Sequence, residues 1–241
     1  MAELEVERHD GTLTLTLNRP DKRNALSPGL VEALASEVHT AYDDGTRLLV
    51  LRGNGRNLSA GFDLTGYDTQ SEGDLLRRFV RVELLLQAIH HAPYATLALA
   101  HGRNFGAGAD LFVACERRVA APDTTFRFPG LAFGLLLGGR RLATRTGPGW
   151  ARHTLAGLRT VDAGTAHGAG LVTDIGETDA WPSYVEESRR AAATMTPRTS
   201  AELGRVLTAD TRDGDLADLV RSAAEPGLRE RIRRYGEAGQ Q

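Results

Sequence analysis

The chain has 241 residues, 41% of them hydrophobic, and a net charge of -2 at pH 7. This composition is sufficient for a sizeable core in one or two domains, and the nearly balanced charge argues against a general attraction to nucleic acid. The single cysteine, Cys115, excludes an internal disulfide. The charged N-terminus lacks the apolar stretch of a signal peptide, and no apolar run approaches the roughly 18 residues that span a membrane. We therefore expect a soluble cytoplasmic protein.

The chain begins with patterns typical of a β-hairpin and a helix. Apolar and polar residues alternate over 4–18 on both sides of the Asp-Gly pair at 10–11, a pair suited to a type I′ turn. A serine followed by proline at 27–28 is typical of a helix N-cap and predicts a helix over 28–42.

Strands and helices continue to alternate up to about residue 121, and helical patterns dominate after residue 140. The predicted elements of the first part are a strand at 47–53, a polar loop at 54–73, a helix at 74–91, a strand at 95–100, a buried helix at 107–115 and a strand at 117–121. Those of the second part are helices at 140–146, 148–157, 161–167, 179–195 and 197–207, with two short ones near the end. This order predicts an α/β domain with a helical C-terminal extension.

Two segments, LSAGFDL (58–64) and FGAGADL (105–111), each place small residues directly after a predicted strand and a carboxylate a few positions later. Small residues at a helix start leave backbone N–H groups accessible, and the helix end adds partial positive charge. Two such donors facing each other would form an oxyanion hole for a polarised carbonyl. The alternative is an α/β protein in which these glycines serve only close packing.

The two carboxylates of these segments have different surroundings. Asp63 is best interpreted as a carboxylate that orders its loop by accepting backbone N–H groups. Asp110 lies within the apolar stretch ADLFVACE, where an unpaired carboxylate is costly to bury. Asp110 is therefore the candidate acid/base, with structural pairing to an arginine as the alternative.

Taken together, these motifs resemble the crotonase superfamily, also called the enoyl-CoA hydratase/isomerase family. The resemblance runs through TLTLNRPDKRNALS, NLSAGFDL, HGRNFGAGADLFVAC and FRFPGLAFGLLLGGRRL to LRERIRRYGEA. It implies a spiral of ββα turns over residues 1–185 that holds the acyl-CoA site. It also implies that C-terminal helices over 186–241 pack into homotrimers or dimers of trimers.

The resemblance further implies a lyase or isomerase of fatty acid metabolism that transforms acyl-CoA thioesters. Coenzyme A is then part of the substrate, and neither a metal nor a separate cofactor is expected. The oxyanion N–H groups would come from Ala60 and Ala107, and Asp110 would take the place of a catalytic glutamate. The implied substrate-binding residues are Arg23, Ala25, Ala60, Gly61, Phe62, Asp63, Leu64, Gly106, Ala107 and Gly130.

The chain departs from the family hydratases at their second glutamate, which follows a proline, because the corresponding pair here is Pro129-Gly130. Glu83 is a candidate replacement, with a solvated helix edge as its alternative. The resemblance thus predicts an enzyme that stabilises a thioester enolate with Asp110 as the single acid/base. A degenerate acyl-CoA-binding protein without hydratase activity is the other interpretation. For the basic stretch RERIRRY near the C-terminus, a solvated helix face and a contact with CoA phosphates both stay open.

Overall fold

The structure is a computed structural model and describes residues 2–238, within which the chain forms nine β-strands and ten α-helices. The strands are Leu4–His9 (β1), Thr12–Leu17 (β2), Leu48–Gly53 (β3), Ala95–Ala100 (β4), Arg103–Phe105 (β5), Arg117–Ala120 (β6), Thr125–Arg127 (β7), Thr160–Asp162 (β8) and Asp174–Ile175 (β9). The helices are Pro28–Thr40 (α1), Glu72–His90 (α2), Ala107–Ala114 (α3), Gly139–Thr146 (α4), Pro148–Ala156 (α5), Ala163–Gly168 (α6), Trp181–Ala193 (α7), Pro197–Leu207 (α8), Arg212–Ala224 (α9) and Leu228–Ala238 (α10).

The strands form two sheets, which confirms the predicted α/β class. The larger sheet has the order β1-β2-β3-β4-β6-β9, with β1 and β2 antiparallel and the later neighbours parallel. The smaller sheet has the order β5-β7-β8. The predicted hairpin is also confirmed, because Asp10 and Gly11 adopt φ angles of 46° and 70°, as a type I′ turn requires.

The central strands are buried on both faces, as is usual for parallel sheets. On β3, Leu49 and Leu51 point into the main core shared with α1, α2 and α3. Leu48 and Val50 alternate to the other face, where they pack with residues of α7. The sheet therefore lies between two helical layers, and the ends of β3 and β5 lead into the two glycine-rich segments.

Local capping explains where the predicted helices begin. The Ser27 hydroxyl accepts a hydrogen bond from the Leu30 N–H at 3.0 Å, which confirms the predicted cap of α1. The helix predicted from residue 74 instead begins at Glu72, because Ser71 and Asp74 form a reciprocal capping box.

The sequence patterns did not reveal β5, β7, β8 and β9, since two or three residues are too few to show an alternation. One of these strands corrects a helix boundary. Residues 160–162 form β8, and α6 begins only at Ala163, where Asp162 accepts a hydrogen bond from the Thr165 N–H at 2.8 Å.

The boundary predicted at 185/186 falls inside α7, which continues across it and packs on the sheet through Trp181, Tyr184 and Val185. We therefore draw no domain boundary there. The helices beyond it fold back onto the rest of the chain, since α9 packs against α2 and α10 against the turn at Pro129–Phe133. Their use in trimer assembly stays a prediction. Among residues 2–238, no helix has both the length and the apolar character needed to cross a membrane.

Candidate active site

The two small-residue segments lie directly against each other. The Phe105 N–H donates to the Ser59 carbonyl at 3.3 Å. A Cβ added to Gly61 would lie 2.3 Å from the Phe105 carbonyl oxygen and 3.2 Å from the Ala107 nitrogen, and one added to Gly108 would lie 2.4 Å from the Ser59 oxygen. Glycine is required at both positions because any side chain would separate the two backbones.

Ala107 supplies an open amide to this junction. It is the first residue of α3, and Gly106 before it adopts a φ of 52° without any side-chain cap. Within residues 2–238, the Ala107 N–H has no hydrogen-bond acceptor. Since the first amides of a helix lack intrahelical partners, this group is available to an oxygen of a ligand.

On the other segment, the structure corrects the predicted donor. The Ala60 N–H already donates to the Arg23 carbonyl at 2.9 Å. Leu26 pairs with Phe62 in an isolated β-bridge: the Leu26 N–H donates to the Gly61 carbonyl, and the Asp63 N–H donates to the Leu26 carbonyl. The N–H of Phe62, which lies between these two bonded residues, therefore points away from Leu26. In the described part of the chain this Phe62 N–H has no acceptor. Phe62, rather than Ala60, therefore carries the open amide of this segment.

The Phe62 side chain is held from two sides. Its ring stacks on Phe79, with the ring centroids 4.1 Å apart, and the Arg78 guanidinium lies 4.2 Å from the Phe62 centroid. Arg78 also donates to the Asp63 carbonyl at 2.5 Å. These contacts fix the segment beside α2.

Asp63 orders this segment, as predicted. Its carboxylate accepts the Thr65 N–H at 2.9 Å and a hydrogen bond from Arg19 at 2.8 Å. Burial alone would raise the pKa of Asp63, but these bonds outweigh it and hold the pKa below its ordinary value. Asp63 is therefore an ionised structural group.

Asp110 lies in the first turn of α3, next to the open amide of Ala107, and is 4% exposed. Burial raises the pKa of Asp110 to about 8, with Arg141 opposing this shift and Glu83 adding to it. Its carboxyl group has no hydrogen bond or ion pair with another described residue, so the alternative of direct arginine pairing is not realised. The backbone of Gly138 packs against it, since a Cβ there would lie 2.2 Å from Oδ1. Asp110 is thus a largely protonated acid at neutral pH.

A cavity of about 160 Å³ joins these groups. Its wall is apolar apart from the side chains of Asp110 and Tyr235. It is lined by Ala60, Phe62, Leu64, Phe79, Phe105, Gly106, Ala107, Asp110, Phe128, Pro129, Gly130, Leu131, Phe133, Leu135, Leu136, Leu137, Gly139, Leu155 and Tyr235. This lining suits an apolar ligand group.

Gly130 lines the cavity but has no room for a side chain. The Leu135 N–H donates to its carbonyl at 2.8 Å, and a Cβ at Gly130 would lie 2.8 Å from the Leu135 carbonyl oxygen. The turn from 130 to 135 therefore leaves no space for a side chain at residue 130, where the family hydratases have their second glutamate according to the resemblance.

The structure does not bring Glu83 into the cavity. Both of its carboxylate oxygens bind Arg141, at 2.9 and 2.5 Å, and Gln87 donates to one of them at 2.8 Å. Glu83 is 1% exposed, so the alternative of a solvated helix edge is wrong as well. Because its oxygens are engaged, Glu83 is a structural ion-pair partner rather than a second acid.

Arg23 and Ala25 lie outside this cavity, in the loop that pairs with the first segment. A second cavity of about 270 Å³ shares Phe62 with the first and is lined by Leu26 and by three arginines of α2, Arg77, Arg78 and Arg81. These arginines were not predicted from the sequence, although RRFVR at 77–81 is a basic cluster, and Tyr235 was not predicted either. For Tyr235 the sequence offers only its place at the end of RERIRRY.

Comparisons with known proteins give matches to a family model, to a solved structure and to curated relatives. A family model described as enoyl-CoA hydratase/isomerase matches residues 12–226. A solved structure from Bordetella parapertussis, assigned to the enoyl-CoA hydratase/isomerase group, is 51% identical, with a TM-score of 0.97 and 98% of both chains covered. The 2,3-dehydroadipyl-CoA hydratase of Escherichia coli is 32% identical over 82% of this chain and 78% of its own length. The Mycobacterium tuberculosis protein "Probable enoyl-CoA hydratase echA6" is 33% identical over 75% of this chain and 74% of its own.

Proposed function

Because this chain belongs to the enoyl-CoA hydratase/isomerase family, we propose that it is an enzyme that transforms acyl-CoA thioesters through an enolate. The observation that supports the proposal is that Phe62 and Ala107, whose N–H groups have no acceptor within residues 2–238, line the same cavity as the buried acid Asp110. Solved relatives and the family match support the general class of substrate.

The two amides would hold the thioester oxygen. When a proton leaves the carbon beside the carbonyl, negative charge develops on that oxygen, and preorganised N–H donors stabilise it most in a site that excludes water. Removing one such donor typically lowers the rate by about 10²–10³-fold. In this proposal the N-terminus of α3 adds its partial positive charge to the same oxygen.

Asp110 would move the proton. Burial raises the pKa of this carboxyl group to about 8, so its ionised form is the minor one at neutral pH but is more basic than an ordinary carboxylate. This carboxylate would accept a proton from the carbon beside the thioester carbonyl, which forms the enolate, and the acid so formed would return the proton to a carbon further along the acyl chain. A single group acting twice suffices for shifting a double bond along the acyl chain. The addition of water by two carboxylates is less compatible with this site, because Gly130 has no room for a second acid.

The coenzyme A part of the substrate would lie outside the acyl cavity, past Phe62. The second cavity offers the exposed Arg77, and a guanidinium group binds phosphate well. Arg78 and Arg81 also line it, but they are held by the Asp63 carbonyl and by Glu32. The loop that contains Arg23 and Ala25 is hydrogen-bonded to the same segment, and its contact with coenzyme A is part of this proposal.

A second candidate function is binding of acyl-CoA without turnover, and the closed position at Gly130 is the observation that favours it. The Asp110→Asn variant separates the two. We expect turnover of enoyl-CoA esters to fall by about 10²–10⁴-fold, because the amide cannot transfer a proton. The increase in melting temperature caused by an acyl-CoA ester should remain.

The matched control is Asp179→Asn, which changes an exposed carboxylate far from the cavity and should leave turnover intact. Full turnover in the Asp110→Asn variant would remove Asp110 from the mechanism. A wild-type protein that binds acyl-CoA esters but turns over none of them would favour the binding function instead.

A further inference from the structure

The C-terminal helix α10 closes one side of the acyl cavity of its own chain. Leu228 and Ile232 are buried in an apolar cluster with Phe79 and Leu135, which line that cavity. Arg231 donates to the Phe133 carbonyl at 2.8 Å, so the helix is tied to the turn that forms the cavity wall. The basic stretch singled out in the sequence is therefore a solvated face only in part, and its contact with CoA phosphates stays a prediction.

Tyr235 belongs to the inward face of this helix. It follows Leu228 by seven residues and Arg231 by four, the spacing of one helical stripe. Its ring is half-buried and lies against Phe133, with centroids 5.4 Å apart. Tyr235 reaches the cavity that contains Asp110.

Tyr235 is chemically distinct from the rest of the lining. Among the described lining residues, the only side chains with a polar group are Asp110 and Tyr235. Within residues 2–238 the phenol hydroxyl makes no hydrogen bond. A phenol is a hydrogen-bond donor at neutral pH, and such a donor in the lining of an otherwise apolar cavity favours ligands that can accept from it.

The proposed reaction assigns no role to the Tyr235 hydroxyl. The thioester oxygen is assigned to the amides of Phe62 and Ala107, and the proton to Asp110. A purely hydrocarbon acyl group would leave the phenol without a partner when water is displaced, which carries a free-energy cost. An acyl group with an oxygen of its own would satisfy it.

We propose that Tyr235 makes the site selective for acyl-CoA esters whose acyl group ends in an oxygen-bearing group, a hydroxyl or a carboxylate, by donating a hydrogen bond to that terminal oxygen. This inference rests on the proposed acyl-CoA function and names the class of substrate within it. It assigns to Tyr235 a role in specificity, while proton transfer stays with Asp110.

The test compares the binding of three four-carbon probes: butyryl-CoA, 4-hydroxybutyryl-CoA and succinyl-CoA. We expect the wild-type protein to bind at least one oxygenated probe about 10-fold or more tightly than butyryl-CoA, since a satisfied buried donor contributes about 1–3 kcal/mol. In the Tyr235→Phe variant, this ratio should fall to about one, while the affinity for butyryl-CoA stays the same. The phenylalanine ring retains the contact with Phe133, so the fold should be preserved.

Tyr184→Phe is the matched control, because Tyr184 lies on α7 and packs against the sheet rather than the cavity. Its ratio should equal that of the wild type. A wild-type protein without preference, or a preference that survives in Tyr235→Phe, would overturn the inference while leaving the proposed function intact. Failure of all three probes to bind would overturn both. Since binding is the readout, loss of turnover in Asp110→Asn does not affect the result.

Discussion

At residue 130 the shape of the following turn determines whether a second carboxylate can enter the cavity. A side chain there would meet the Leu135 carbonyl oxygen at 2.8 Å from its first carbon, and a carboxylate would then enter an apolar cavity. We therefore expect Gly130→Glu to destabilise the protein by about 1–3 kcal/mol and to leave the hydration of enoyl-CoA esters unimproved. Urea denaturation and a hydration assay measure the two effects.

The control for Gly130→Glu is Leu131→Glu, which adds the same carboxylate to the same turn at a side chain that is 37% exposed. It should cost clearly less stability. A Gly130→Glu variant with an unchanged unfolding midpoint and new hydratase activity would contradict the closed position and, with it, the single-acid proposal.

The functional residues could be predicted to different depths from the sequence. Asp110 was identifiable because its apolar neighbours predict burial. The open amide of the first segment could not be identified, because several consecutive residues there carry an N–H group and the sequence does not show which of them lacks an acceptor. The Ala60 amide is engaged only because Arg23 and Asn24, with φ angles of 51° and 53°, bring the Arg23 carbonyl to it. Such a contact between distant loops leaves no local pattern.

At the scale of elements, a buried ion pair joins α2 to α4. Glu83 and Arg141 are each 1% exposed in their side chains, and Asp215 of α9 lies 3.4 Å from Arg141. We expect Arg141→Met to lower the free energy of unfolding by about 3–5 kcal/mol, because it leaves the Glu83 carboxylate buried without a charged partner, with only the hydrogen bond from Gln87. The double variant Glu83→Leu with Arg141→Met should lose much less, since no charge of this pair is then left alone.

An exposed pair with similar geometry provides the comparison for this ion pair. Arg81 of α2 binds Glu32 of α1 through two hydrogen bonds of 2.7 and 2.5 Å, but these side chains are 39% and 54% exposed. Arg81→Met should therefore cost only about 0–1 kcal/mol in urea denaturation. Equal losses for the Arg81 and Arg141 variants would show that burial does not set the strength of these pairs.

The elements themselves were predictable where local chemistry determines them. The hairpin and the first helix followed from alternation and capping residues, whereas strands such as β5 and β9 exist only through pairing with distant segments. Glu83 resembled a solvated helix edge because its partner Arg141 is 58 residues away in sequence. The return of α10 to the cavity likewise depends on apolar contacts with Phe79 and Leu135 that no spacing indicates.

For the whole molecule, two buried groups couple folding to pH in opposite directions. The pKa of Asp110 rises from 3.8 to about 8 on folding, so the unfolded chain releases this proton first and stability falls as pH rises through that window. Burial, aided by neighbouring arginines, lowers the pKa of His90 from 6.5 to about 4, so stability falls as pH decreases below 6.5. Of these two groups, only Asp110 binds different numbers of protons in the folded and unfolded chains between pH 6.5 and about pH 8, so only Asp110 changes the stability there.

We therefore expect the wild-type free energy of unfolding to decrease between pH 6.5 and about pH 8, and that decrease to be much smaller in Asp110→Asn, whose amide does not titrate. Urea denaturation at closely spaced pH values measures both slopes. His90→Gln serves as the control, because it should change the slope below pH 6.5 and leave the slope above it intact. Two charged groups act on Asp110, namely Arg141 of α4 and Glu83 of α2. Both are retained in both variants, so their own contributions to the pH dependence cancel in the comparison. Parallel curves for the wild type and Asp110→Asn would mean that the Asp110 carboxyl group ionises at its ordinary pKa, and a proton-donating role at neutral pH would then fail with it.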